Sequence, residues 1–96
     1  MQSKKHLVMA GIRRLVLDVL IPINMPSASV AMEISKLPGV EGVDILIQEV
    51  ERKVEAAKVT IEGDNIDFQA IKDALDEAGS SLQSVDRITC GKRIVG

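Results

Sequence analysis

The feature that most constrains this chain is that its hydrophobic period changes along its length. Segments 12–20 (IRRLVLDVL), 43–51 (VDILIQEVE) and 57–62 (AKVTIE) alternate apolar and polar residues, as half-buried strands do. In the first, Leu15, Leu17 and Val19 face one way and Arg14, Val16 and Asp18 the other. In the second, Val43, Ile45 and Ile47 oppose Asp44, Leu46, Gln48 and Val50; in the third, Ala57, Val59 and Ile61 point inward. Only ERKVEA separates the second strand from the third. That is too short for a parallel crossover, so these two strands form an antiparallel hairpin.

Between and after these strands the period becomes helical. Pro22 and Pro26 end the first strand, and Ser27 is positioned to N-cap a helix reaching Leu37, with Val30, Ile34 and Leu37 as its buried stripe. Pro38-Gly39 then stops it. The second helix is the best signalled. Asp67 is a good N-cap, and Ile66 and Ile71 occupy the hydrophobic-staple positions. Phe68, Ile71, Leu75 and Ala78 form its stripe, and Gly79 supplies the C-terminal stop. A last strand, 82–90, carries Leu82, Val85, Ile88 and Cys90, with one slip in alternation between Leu82 and Val85 that marks a bulge.

The order is therefore β-α-β-β-α-β. Two right-handed βαβ crossovers interleave into an α+β, ferredoxin-like split βαβ sandwich: a four-stranded antiparallel sheet with both helices on one face. Residues 11–92 read as the single domain, 1–10 as a flexible N-terminal extension and 93–96 as a C-terminal tail. Met9, directly before the first strand, is an alternative start of translation, and His6 in the extension is read as inert.

Composition narrows the function. A net charge of −2 gives no electrostatic footprint for nucleic acid or an anionic membrane. The N-terminal apolar run is too short for a signal peptide, and no stretch approaches the roughly 20 apolar residues that span a bilayer. One cysteine, Cys90, excludes an internal disulfide and any multi-cysteine metal site. A reducing, cytoplasmic setting is expected. Phe68 is the sole aromatic residue, so the core must be aliphatic, and Cys90 is read as a small buried hydrophobe within it.

Two helices cover only one face of a four-stranded sheet. The other face should carry Arg14, Val16, Asp18, Asp44, Leu46, Gln48, Val50, Lys58, Thr60 and Glu62. Val16, Leu46 and Val50 are more apolar than a solvated face requires, which favours self-association; a closed homo-oligomer, ring or dimer, is expected. The acids Asp18, Asp44, Glu62 and Asp86 have two readings. They are candidate oxygen ligands for calcium or magnesium on this face or at a subunit seam. The favoured alternative is charge pairing with Arg13, Arg14, Lys58 and Arg87, since no EF-hand spacing is present.

The turn after the first strand, LIPINMPSAS at 20–29, is where such folds often place reactive groups. The rhythm of LPGVEGVDILIQEV and VTIEGDNIDFQAIKDALDEAG resembles heavy-metal-associated domains, which hold soft metals with Cys-x-x-Cys in this turn. Here it holds no thiolate, only Met25. We read it as a structural turn that leaves Ile21, Ile23 and Met25 available for subunit contact. RNA-recognition modules of similar order stack bases on strand aromatics, which are missing from these strands. Acylphosphatase-like catalysis would need an arginine-bearing anion loop, whereas Arg13 and Arg14 lie within the first strand. Without a second histidine no Ser-His-Asp or Cys-His set is possible, and an enzyme is not expected. Amino-acid-binding regulatory domains share the architecture, with Gly39 and Gly42 as a weak signal that turn geometry explains equally well.

From Met9 onward the chain resembles the archaeal family known as domain of unknown function 211. The matching residues are GIRRLVLDVL at 11–20, the Pro26-Ser27 helix start, GVEGVDI at 39–45, VTIEG at 59–63, IDFQAIKDALDEAG at 66–79 and SVDRITCG at 84–91. The resemblance implies a ferredoxin-like fold, an archaeal cytoplasmic origin and a tendency to assemble, with no catalytic residues to carry over. The leading expectation is a non-catalytic, homo-oligomeric binding or scaffold module without a cofactor. The alternative is a regulatory domain sensing a small ligand or a divalent cation at subunit interfaces.

Overall fold

Leu15, Leu17, Val19 and Ile21 alternate with partly exposed residues along β1 (Ile12–Pro22), and all four are fully buried. The computed structural model describes residues 11–93 and 95, so the expected extension over 1–10, with His6 and Met9, lies outside the described residues. After β1 come α1 (Ser27–Ser35), β2 (Val40–Val50), β3 (Val54–Gly63), α2 (Phe68–Glu77) and β4 (Ser81–Cys90). The strands form one sheet in the order β2-β3-β1-β4, with every neighbouring pair antiparallel. This is the α+β, ferredoxin-like arrangement that the alternating periods predict.

The inward faces of β1 and β3 meet Val30 and Ile34 of α1 and Ile71 and Leu75 of α2 in one aliphatic core. Val43, Ile45 and Ile47 of β2 pack on its margin, as do Phe68 and Leu82. The central strands have neighbours on both sides and bury their alternate residues completely. The outer strands have one neighbour each and do not.

Local signals account for most element ends. The Asp67 side chain accepts a hydrogen bond from the Ala70 amide at 3.1 Å, capping α2 as expected. Gly79 takes φ +71° directly after that helix. At α1 the expected cap is corrected. Pro26, extended at φ −62°, is the N-cap and no side chain caps the helix; its carbonyl accepts from the Ser29 amide at 3.0 Å. Ser27 therefore falls at the first helical position, one residue too late to cap. The helix ends at Ser35 rather than Leu37, although the Leu37 amide still donates to the Ile34 carbonyl.

The hairpin is also tighter than ERKVEA implied. Val54, Glu55 and Ala56 already belong to β3, where all three pair with β1 and Glu55 and Ala56 also with β2, and the Glu51 amide closes the turn on the Val54 carbonyl at 2.8 Å. A strand with partners on both sides gains two ladders for each residue it extends.

β4 departs furthest from its pattern. The bulge between Leu82 and Val85 is present, since Asp18 pairs with Ser84 but Val19 with Leu82. A second bulge occurs at Asp86, because Val16 pairs with Arg87 but Leu17 with Val85. With its alternation broken twice and only one neighbouring strand, β4 leaves Val85 43% and Ile88 56% exposed. Thr89 is buried, whereas Cys90 is exposed, which corrects its reading as a buried hydrophobe.

Candidate functional site

The helix-free face of the sheet is built by register. Directly opposed residues on neighbouring antiparallel strands point to the same side, and the β1–β3 ladder opposes Arg14 to Glu62, Val16 to Thr60 and Asp18 to Lys58. Two of these three steps are ion pairs. Arg14 Nε donates to Glu62 Oε2 at 2.8 Å, and Lys58 Nζ lies 2.8 Å from Asp18 Oδ1.

Lys58 is shared. Its ammonium also donates to Asp86 Oδ2, and the Ser84 hydroxyl lies 3.1 Å from Asp18 Oδ2 and 2.8 Å from Asp86 Oδ1. One cation and one hydroxyl thus join carboxylates from β1 and β4. The Asp18 hydrogen bond, followed by that of Asp86, raises the pKa of Lys58. The hydrogen bond from Lys58, followed by that from Ser84, lowers the pKa of Asp86. Ser84 was missed in the sequence, although its spacing of two from Asp86 places both on one side of a strand.

The four candidate ligand acids are not brought together within one protomer. Asp18 and Asp86 meet around Lys58, Glu62 is held by Arg14, and Asp44 stands opposite Thr60 on β2. Among the described residues no group of three or more His, Cys, Asp or Glu is placed to hold a metal ion. Charge pairing accounts for Arg14 and Lys58, and for Arg13 at 4.0 Å from Asp64. Arg87 stays exposed and outside the ion pairs among the described residues.

Beside this ladder Leu46 is 58% exposed and Val16 half-buried, whereas Val50, 63% exposed, is turned by the bulge between Ile47 and Glu49 to the side of Glu55 and Ile21, which corrects its expected place on the open face. Ile23 is exposed at the rim, whereas Met25 is half-buried against the core and Ile21 is fully buried within it, which corrects the expectation that Ile21 is free for contact. The 22–26 turn is pinned by backbone bonds from the Met25 amide to the Pro22 carbonyl and from the Ile23 amide to the Lys53 carbonyl in the β2–β3 turn. On the opposite side of the molecule, Met25, Leu37 and Ala74 help line a groove of about 300 Å³ between the helices, with Glu33 and Glu77 also in its lining. No spacing signal in the sequence pointed to that groove. Among the described residues no helix is long and apolar enough to cross a membrane.

The strand order and the open, ion-paired face define a ferredoxin-like α+β domain with one sheet surface left uncovered. The family model for domain of unknown function 211, described as Uncharacterized ArCR, matches residues 13–96, and the chain belongs to that family. It is 38% identical over 87 residues to the uncharacterized protein MJ0319 of Methanocaldococcus jannaschii, a match spanning 91% of this chain and 90% of that protein.

Proposed function

We propose that this chain is a non-catalytic module that works as a homo-oligomer, binding or scaffolding through its sheet. One observation carries this reading: Leu46 is more than half exposed on a face where Arg14, Lys58, Asp18, Glu62 and Asp86 are already paired with one another. Self-paired charges and free aliphatics can be buried together at low desolvation cost, which suits a subunit contact. Lys58, Asp18 and Asp86 are held by one another on a flat face rather than directed into a cleft, which supports a non-catalytic role. A cytoplasmic site fits the single, unpaired cysteine.

Sedimentation velocity on the full chain at micromolar concentration tests the assembly. The expected result is a defined oligomer that shifts towards monomer in Leu46→Glu. A strict monomer across the concentration range would remove the reading.

The second reading, a divalent-cation or small-ligand sensor, rests on the exposed carboxylate of Asp44 and on the Asp18–Asp86 pair. In one protomer Lys58 already supplies the positive charge that a cation would bring, so such a site requires carboxylates from two copies. Calcium and magnesium would then raise the melting temperature of the oligomer by mass action. The absence of any shift at millimolar metal would exclude it.

A further inference from the structure

We propose that copies of this chain join edge to edge, β4 of one copy pairing with β2 of the next, so that the sheet runs on from protomer to protomer. This rests on the self-association proposed above and specifies its seam.

Both outer strands are long and, among the described residues, carry no neighbour on one side. β2 spans 11 residues and β4 spans 10, and all but two residues of β4 are exposed. An unpaired strand edge of this length is a template for another strand unless charges or bulges blunt it. Here the charges differ in sign between the two edges. β2 bears Glu41, Asp44 and Glu49 with no basic residue. β4 and the residues after it bear Arg87, Lys92 and Arg93, and the one acid on that strand, Asp86, is already held by Lys58.

The complementarity fits the geometry. Because every neighbouring pair in the order β2-β3-β1-β4 is antiparallel, β2 and β4 run in opposite directions. A β2 strand added beside β4 therefore continues the antiparallel alternation without a break. The register places Asp44, Thr60, Val16 and Arg87 in one row across the sheet. An unstaggered continuation sets Arg87 of one copy beside Asp44 of the next. The exposed aliphatics at that seam are Leu46 on the open side of the sheet and Val50, Val85 and Ile88 on its helix side.

Two-fold alternatives are disfavoured by the same charges. An antiparallel β2–β2 pair would bring Glu41, Asp44 and Glu49 of both copies onto one seam with no basic residue on either strand, and like charges across a sheet destabilise it. Joining unlike edges is a head-to-tail contact, which closes into a ring when the rotation per copy permits.

Cross-linking reads the seam directly. Cys90 is exposed at the end of β4, and a Cβ placed on Gly42 of β2 meets nothing within 4 Å. Within one copy these positions are separated by three inter-strand spacings, roughly 14 Å. A bis-maleimide shorter than that span, applied to Gly42→Cys, is expected to give a denaturing-gel ladder extending beyond dimer. The ladder should be lost in Gly42→Cys/Cys90→Ser. Dimers as the sole product in that double variant would indicate β2–β2 pairing, and dimers as the sole product in the unaltered protein would indicate β4–β4 pairing; either overturns the proposal while leaving self-association intact. An oligomer by sedimentation with no cross-linking at all also overturns it.

Charge reversal provides the independent check. Asp44→Arg or Arg87→Asp alone should weaken association about tenfold, and the two together should restore it. Failure of the pair to restore what each change removes would exclude an Asp44–Arg87 seam, and a monomeric unaltered protein would remove the seam and the self-association reading together.

Discussion

Lys58 stands directly across the β1–β3 ladder from Asp18, and the same ammonium reaches Asp86 on β4, so a single cation ties three strands on the uncovered face. Both acids lie on strands that do not adjoin Lys58 in sequence, and β1 carries the contact through from one side to the other. Replacing Lys58 by Met should therefore do more to the acids than to the fold. NMR titration should show the Asp86 carboxyl rising from its lowered pKa towards the ordinary aspartate value. An unchanged Asp86 titration would mean that the ammonium is not what holds it.

The same contact gives a signed dependence on pH. Asp86 has a lowered pKa in the folded state, so its contribution is complete above the unfolded aspartate value and is lost as pH falls through the folded one. Lys58 has a raised pKa, so its contribution is complete below the unfolded lysine value and is lost as pH rises through the folded one. The stability difference between unaltered protein and Lys58→Met should be flat through neutral pH and shrink at both extremes. Urea unfolding at acid, neutral and strongly alkaline pH measures it. Because the groups are solvent-exposed, added salt should reduce the difference.

The two helix starts should respond unequally to loss of a hydroxyl or carboxyl. Asp67→Ala removes the acceptor for the Ala70 amide and should cost about 1 kcal/mol. Ser27→Ala removes no cap, since Pro26 holds that position, and chemical denaturation should place it near the unaltered protein.

Two glycines separated by three positions should behave in opposite ways. Gly39 has φ +83°, and a Cβ there would lie 2.5 Å from the Asp64 carbonyl oxygen, so Gly39→Ala should lose more than about 1 kcal/mol. Gly42→Ala meets no neighbour within 4 Å and should be close to neutral. Their denaturation midpoints compare the two directly.

In the core, Leu75 is fully buried between α2 and the sheet, and Leu75→Ala should cost about 2–5 kcal/mol. The Leu46→Glu change on the open face should leave the denaturation midpoint of the monomer nearly unmoved, because its side chain is already in solvent.

Much of this fold was legible because it depends on short-range rules. The burial of Leu15, Leu17 and Val19, the stripe of Ile71 and Leu75, the Asp67 cap and the Gly79 stop each follow from residues within a few positions of one another. The same alternation correctly exposed Leu46, but it misplaced Val50, which the bulge between Ile47 and Glu49 turns to the helix side of the sheet. What alternation could not show was the outer strand. Val85, Ile88 and Cys90 read as a buried stripe, but a second bulge at Asp86 and a missing neighbour leave all three in solvent. Ser84 was illegible for a related reason: its partner Asp18 is 66 residues away in sequence.

The sequence by itself determined the order of strands and helices, the aliphatic character of the core and the side each strand turns towards it, because period, capping and turn chemistry act over a few residues. Tertiary structure alone decided that β2 and β4 are the free edges, that Lys58 gathers Asp18 and Asp86, and that Asp44 and Arg87 share a row. Those relationships are set by strand order and bulged register, which arise from how the whole sheet packs beneath two helices.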